Sequence, residues 1–347
     1  MVALGFSKDT RVSVLLKSIS AERMKDLYAA RGASLYAMVK LSSDDNEATV
    51  ENVSNQQTTG EAEQVVEGDL PKGAAAPMGG YADEESDSEE KDKDIKWIPG
   101  RTPYSVQIGD IKCSVYLSSE NGKININGID DENREIFVNF LTKKGIDIFD
   151  ADIITDSILD WIDPDDLTHL NGAEDQYYGS LPDPYKSKDG PFFSNEELTL
   201  VQGITPAIFE NIKEDITVYG DKKINININI ASKDVLSSIP GLSEDIVDEL
   251  YLYIEETGAI KTSEELREIF WDLGVIGSDF EDVKPYLTLG QSDFVTISAI
   301  SGGSKRMDTH SGKSNPSSVQ SSYSGYDYKL IVGKSDDGYK IYAVYPE

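Results

Sequence analysis

Apolar positions recur at three- and four-residue steps through Val12, Leu15, Leu16, Ile19, Leu27, Leu35 and Val39, which predicts one amphipathic helix over residues 12–41. The run Tyr28-Ala-Ala-Arg-Gly-Ala-Ser-Leu-Tyr-Ala37 adds helix formers and small packing residues. The pattern then stops. Residues 42–96, which include Asp83-Glu-Glu-Ser-Asp-Ser-Glu-Glu90, are polar and aperiodic, and read as a long acidic loop that cannot bury enough to offset its ordering entropy. Period-two alternation begins at Tyr104–Ile108 and Ile111–Leu117, around a Gly109-Asp110 turn. It returns at Asp293–Ile300, and again at Tyr326–Val332 and Tyr339–Tyr345, a predicted hairpin around Asp336-Asp-Gly338. A Gly/Ser-rich loop is expected over 301–324.

Between the two sets of strands the period changes. Lys123-Ile-Asn-Ile-Asn127 reads as a strand, and it is echoed by Lys223-Ile-Asn-Ile-Asn-Ile-Asn229. Each copy leads into a helical pair: 131–143 with 151–161, and 233–239 with 244–255, the second pair carrying Ser232 and Ser243 as N-caps. Further helices are expected from Ser194 and over Ala207–Glu214. The order helix, strands, helices, strands predicts an α+β fold: a long N-terminal helix packed on an antiparallel sheet, with a large α-helical domain inserted. The expected divisions are the helix at 1–41, the loop at 42–96, first strands at 97–128, the inserted α-domain at 129–285 and returning strands at 286–347.

Charge narrows the functions open to such a fold. Sixty-three acidic residues against 32 basic ones give a net charge of −31 and a pI near 4.3, a field that repels phosphate backbones and anionic lipid while favouring cations and basic partners. One cysteine, Cys113, excludes an internal disulfide framework, and two histidines, His169 and His310, exclude a multi-histidine zinc site within one chain. No run of 18 apolar residues occurs, and Met1–Phe6 is too short for the apolar core of a signal peptide.

The acids are densest in Ile158-Leu-Asp-Trp-Ile-Asp-Pro-Asp-Asp-Leu167 and the following Asn171-Gly-Ala-Glu-Asp-Gln-Tyr-Tyr178, where they alternate with large apolar groups. Carboxylates held close on a structured surface need a cation, a basic partner or a proton. Asp163, Asp165, Asp166, Asn171, Glu174 and Asp175, with Asp183 nearby, are therefore the candidate ligands of a calcium site, although the spacing is not that of an EF-hand. Two other chemistries are open to this chain. Asp160 and Glu174 could form an acid/base pair, but no nucleophile elbow or phosphate-binding loop accompanies them. Ile239-Pro-Gly-Leu242 resembles the turn of a DNA-binding helix-hairpin-helix, but Lys233, Lys261 and Arg267 face a large excess of acids there. A non-enzymatic protein that does not bind nucleic acid is expected.

Read in order, Leu159-Asp-Trp-Ile-Asp163, Asn171–Tyr178, Leu181-Pro-Asp-Pro-Tyr185, Gly203-Ile-Thr-Pro206 and Asn227-Ile-Asn-Ile-Ala-Ser232 resemble the K-type minor pseudopilin of type II secretion systems, over about residues 12–290. The resemblance implies a pilin-like core with an inserted α-domain and calcium as a cofactor. It also implies a place at the tip of a periplasmic pseudopilus, capping it through contacts with other minor pseudopilins and supporting protein export across the outer membrane. Leu15, Leu16, Ile19 and Leu27 are then candidates for a partner interface, positions that would serve equally as core. Family members carry a membrane helix that is absent here, so the expectation is a soluble form of a protein anchored in the inner membrane when full-length. The competing expectation is a calcium-binding surface adhesion or interaction protein.

Overall fold

A computed structural model describes residue 17 and residues 20–43, 97–100, 102–302, 326–336 and 338–346. The acidic segment from residue 44 to 96 and the Gly/Ser-rich segment from 303 to 325 therefore lie outside the described residues, as do Leu15, Leu16, Ile19 and His310.

Helix α1 spans residues 20–43. Strands β1 (Tyr104–Ile108) and β2 (Ile111–Ser119) follow, and the chain then leaves the sheet. The excursion contains β3 (Ile124–Asn125), α2 (Arg134–Lys143), α3 (Ile148–Ile162), α4 (Asp175–Tyr178), α5 (Pro206–Ile212) and β4 (Ile216–Thr217). It continues through β5 (Ile226–Asn227), α6 (Lys233–Ser237), α7 (Glu244–Thr257), α8 (Ser263–Asp272), α9 (Ser278–Val283) and β6 (Leu287–Thr288). The chain rejoins the sheet as β7 (Phe294–Ser301), β8 (Asp327–Ser335) and β9 (Gly338–Pro346). The five-stranded sheet runs β1-β2-β7-β8-β9 with every pair antiparallel, so β2 and β7 are neighbours across the whole insertion. The expected α+β architecture is the observed one.

Two cores divide the molecule. In one, Ala29, Ala33, Ala37 and Leu41 of α1 meet Val106, Cys113, Val115, Leu117, Val295, Ile297, Ala299, Leu330 and Val332 of the sheet. The stripe that packs is thus the alanine stripe, which lets the helix axis approach the strands closely. Leu35 and Val39, expected on the apolar face, are exposed, and Leu27 is half-buried. The other core lies wholly within the insertion, around Phe137, Phe140, Ile154, Ile158, Trp161, Tyr178, Val235, Leu236, Leu250 and Phe270.

Glu120 joins the two bodies. It is fully buried where β2 ends, and it accepts hydrogen bonds from Thr217 of β4 (2.5 Å), Thr296 of β7 (2.5 Å) and the Lys123 ammonium (2.8 Å). A buried carboxylate is tolerable because its oxygens are satisfied by these donors.

The Ile-Asn echo is a repeat of structure, but not of long strands. Only two residues of each copy pair, β3 with β4 and β5 with β6, both parallel. The asparagines bend the chain instead: Asn125 Oδ1 accepts from Asn127 N–H and Asn227 Oδ1 accepts from Asn229 N–H, each at 3.0 Å. This local bond competes with a ladder and wins. Each bend delivers a helical hairpin, α2–α3 or α6–α7, turning at Gly145 (φ 83°) and Gly241 (φ 93°), conformations that favour glycine. Ser232 and Ser243 cap α6 and α7 as expected. The segment from Ser194 is a 3-10 turn, Asn195–Leu200, rather than a regular α-helix.

Candidate metal centre

Helix α3 builds the site. Asp147 caps its start by accepting from Phe149 N–H at 2.9 Å. Its last turns bury Asp156 and Asp160 beside Ile158, Leu159 and Trp161. Trp161 faces away from the acids into an aromatic cluster, with ring centroids 6.1 Å from Phe192 and 5.2 Å from Tyr178, and Tyr178 stacks on Tyr185 at 5.2 Å. The alternation of acids and aromatics in the sequence is thus a division between two faces of one helix and its following loop.

That loop folds back along α3. The N–H of His169 donates to Asp160 Oδ1 (3.0 Å), and its ring Nδ1 contacts the same oxygen. Asn171 donates to Asp156 Oδ2 from both its backbone and its side chain, each at 3.1 Å. Arg134 holds the other Asp156 oxygen at 2.5 Å and Asp152 at 3.0 Å, so Asp156 is charge-balanced. Gly172 passes so close that a Cβ there would lie 1.9 Å from Asp160 Oδ2.

Asp160 and Glu174 are not balanced in this way. Each is buried, at 0% and 4% exposure, and each has one carboxylate oxygen without a hydrogen-bond partner: Asp160 Oδ2 and Glu174 Oε1. The second Glu174 oxygen accepts from Ser187 Oγ at 3.0 Å. Burial pushes Glu174 up to about 7; the Ser187 bond opposes this, while the charges of Asp160, Asp163 and Asp189 add to it. Asp163 is also raised, first by burial and then by Asp165 and Asp160, against a backbone bond from Asp165. Burial would lower His169, but hydrogen bonds and charge from Asp160 and Asp131 raise it overall. Ligand atoms of Asp160, Asp163 and His169 all lie within 4.8 Å of one another. Two orphaned buried oxygens, a glycine cradle and carboxylates pushed toward protonation fit a cation bound between them.

The remaining sequence candidates are dispersed around this point. Asp175 is held low by the Lys186 ammonium at 2.5 Å and also accepts from Ser187. Asn171 is committed to Asp156. Asp165 is exposed and closes a turn by accepting from Leu167 N–H at 2.8 Å, while Asp166 and Asp183 are exposed. The fold therefore brings Asp163 together with Asp160 and His169, which were not among the expected ligands, while Glu174 feels the charges of Asp160, Asp163 and Asp189, the last in a left-handed turn (φ 51°).

Two other surfaces bear on function. At the helical hairpins, Lys143 pairs with Glu244 (2.9 Å), and Lys144 pairs with Asp215 (2.8 Å) and Asp234 (2.7 Å), so the cations closest to those turns are neutralised from within. Along α1 runs an open apolar groove of about 590 Å³, lined by Met24, Tyr28, Ala29, Ile108 and Ile111, with Met24 and Tyr28 more than half exposed. No helix among the described residues is long and apolar enough to cross a membrane.

Residues 118–221 match the family described as "Type II secretion system (T2SS), protein K". Among relatives, the type II secretion system protein K of Pectobacterium carotovorum subsp. carotovorum is 28% identical over 160 residues, 40% of this chain and 48% of that protein. That of Klebsiella pneumoniae is 26% identical over 148 residues, 40% of this chain and 45% of that protein. A putative type II secretion system protein K of Escherichia coli K12 is 33% identical over 100 residues, 29% of this chain and 31% of that protein. The chain thus spans less than half the length of these relatives. In fold it is similar to a chain of the GspK-GspI-GspJ complex from the type 2 secretion system of enterotoxigenic Escherichia coli, with a TM-score of 0.53 at 12% identity, covering 71% of this chain and 84% of that one.

Proposed function

From a chain that carries a type II secretion system protein K domain over residues 118–221, we propose a minor pseudopilin that caps the tip of a periplasmic pseudopilus and so supports protein export. It is held there by other minor pseudopilins and anchored in the inner membrane. The observation that carries this reading is the placement of α1 and the α-domain. Helix α1 covers one face of the sheet yet leaves its own flank open as the Met24–Tyr28–Ile108 groove, which fits an apolar stripe on a partner helix. The α-domain, fixed to the sheet through Glu120, adds bulk that blocks a further subunit above it. The role is assembly rather than catalysis.

The acidic centre supplies rigidity in this reading. Calcium is the cation proposed, because the orphaned donors are hard carboxylate oxygens and His169 Nδ1 is engaged by Asp160. Asp160, Asp163 and Glu174 would hold it, and the ion would neutralise their charge. Mixing the purified chain with other minor pseudopilins tests the assembly: co-elution that is lost on Met24→Asp or Tyr28→Asp is expected, and no association with any of them would sink it. Thermal melts test the ion: a rise in Tm with millimolar calcium, abolished by Asp160→Asn, is expected. An unchanged Tm would remove the cation from the reading.

A further inference from the structure

Helix α8 carries an aromatic residue that its core does not use. Its inward face buries Leu266, Ile269 and Phe270. Glu264, Arg267, Glu268 and Asp272 make the outward face, and Trp271 stands among them with 66% of its surface exposed. Helical spacing sets Glu268 one turn before the indole and makes Glu268 and Asp272, four residues apart, neighbours along one flank of it. Arg267, Glu268, Trp271 and Asp272 together line a shallow groove of about 360 Å³. Neither Glu268 nor Asp272 is in an ion pair or hydrogen bond among the described residues; the Arg267 guanidinium lies over the Phe280 ring instead, 5.5 Å from its centre. Ile276, in the turn after α8, is exposed as well.

An exposed tryptophan with two unpaired carboxylates along one flank has a specific complement. The indole face attracts a cation, and the carboxylates bind and orient it. Tryptophan is also the side chain most enriched at the energetic centres of protein interfaces. We propose that the Glu268–Trp271–Asp272 face of α8 docks a basic, amphipathic segment of a partner protein, one that lays an arginine or lysine over Trp271 with apolar residues beside it. The charge of the chain supports this occupant, since a net −31 draws basic segments and repels acidic ones. The surface lies outside residues 118–221 and involves none of the residues around Asp160, so it stands or falls apart from the cation and tip readings.

The full chain reports on this directly, because Trp97 and Trp161 are buried and Trp271 is the exposed tryptophan. The probe is a helical peptide with arginine and leucine at three- and four-residue steps, and the control replaces arginine by glutamate. Saturable change in Trp271 emission with the arginine peptide alone is expected. With a labelled peptide read by anisotropy, Trp271→Ala and the double variant Glu268→Gln/Asp272→Asn should each weaken binding at least tenfold. Asp245→Asn/Glu249→Gln on α7, which removes the same charge from exposed positions, should change it less than twofold. Circular dichroism confirms that each variant is folded. Equal binding by all variants would reduce the effect to the general field of the chain and overturn the proposal. So would no binding, or an emission change with phosphatidylglycerol vesicles and not with the peptide.

Discussion

The two halves of the α-domain begin alike and end differently. Both open on an Ile-Asn bend, pass through a helical hairpin and close on a two-residue parallel strand pair. Both use the second asparagine of the bend to hold a distant loop. Asn127 donates to Phe192 and Val218 carbonyls at 3.0 Å and accepts from Phe192 N–H at 2.7 Å. Asn229 donates to the Ile260 carbonyl at 2.9 Å and accepts from its N–H at 2.8 Å. What differs is the segment after the hairpin. In the second half, α7 leads through a short link to α8 and the core is apolar with simple caps. In the first half a long loop returns over α3 and buries Asp160 and Glu174 with unsatisfied oxygens. The acidic centre is thus an elaboration on a frame that the second half builds without one, and its unsatisfied buried oxygens belong to the first half.

The largest effects should separate the halves by cation dependence rather than by stability. Trp161→Ala and Phe270→Ala each empty a core site and should each cost about 4 kcal/mol in urea unfolding. Only Trp161→Ala should also weaken the calcium-dependent rise in Tm, since the Trp161 ring anchors Tyr178 and Phe192 of the loop that carries Glu174 against α3. Next come the bends. Asn127→Ala strands three buried partners and should cost about 3 kcal/mol, and Asn229→Ala strands two and should cost about 2 kcal/mol. A negligible loss at either would show that the shared frame does not rest on these side chains.

Glu174 gives an effect of the same size as Asn127, set by pH. Its carboxyl is raised from 4.5 to about 7 in the folded chain. Between those values the folded chain holds a proton that the unfolded chain has released. In chelator, stability should therefore fall as pH rises from about 4.5 and be lowest above about 7, by about 3 kcal/mol. Glu174→Gln should flatten this slope, and calcium should replace the proton and offset the loss. A pH-independent stability over that range would place the strain elsewhere. The smallest effect belongs to the periphery: Asp165→Asn and Asp183→Asn, at exposed positions, should each stay within about 0.5 kcal/mol and leave calcium binding intact.

Much of the frame was legible from periodicity. The five strands of the sheet and the hairpins α2–α3 and α6–α7 follow from alternation, helical steps and serine caps, because each is a local rule that burial then reinforces. The Ile-Asn runs misled for a physical reason: alternation is also what a bend produces when each asparagine bonds two residues ahead. On α1, size misled, since the sheet selects Ala29, Ala33 and Ala37 over Leu35 and Val39. At the acidic centre, Asp163 and Glu174 were among the expected ligands, yet the run of acids alone did not separate them from exposed Asp165, Asp166 and Asp183. Asp160 and His169 enter only when the loop folds back, and Asp189 arrives from beyond α4. Gly172 next to Asp160 is a signal that sequence alone leaves silent until the fold brings the two together.

The pairing of Ser119 with Val295 has a kinetic meaning. Two strands that must meet across an unstructured insertion of this length face a loop-closure cost of roughly 4–5 kcal/mol before any ladder forms. Once the inserted domain has folded, its entry and exit stand side by side at Glu120, Thr217 and Thr296, and the closure is already made. The sheet then assembles as though its strands were joined by a short turn. A chain whose insertion folds first therefore spares its sheet this closure cost.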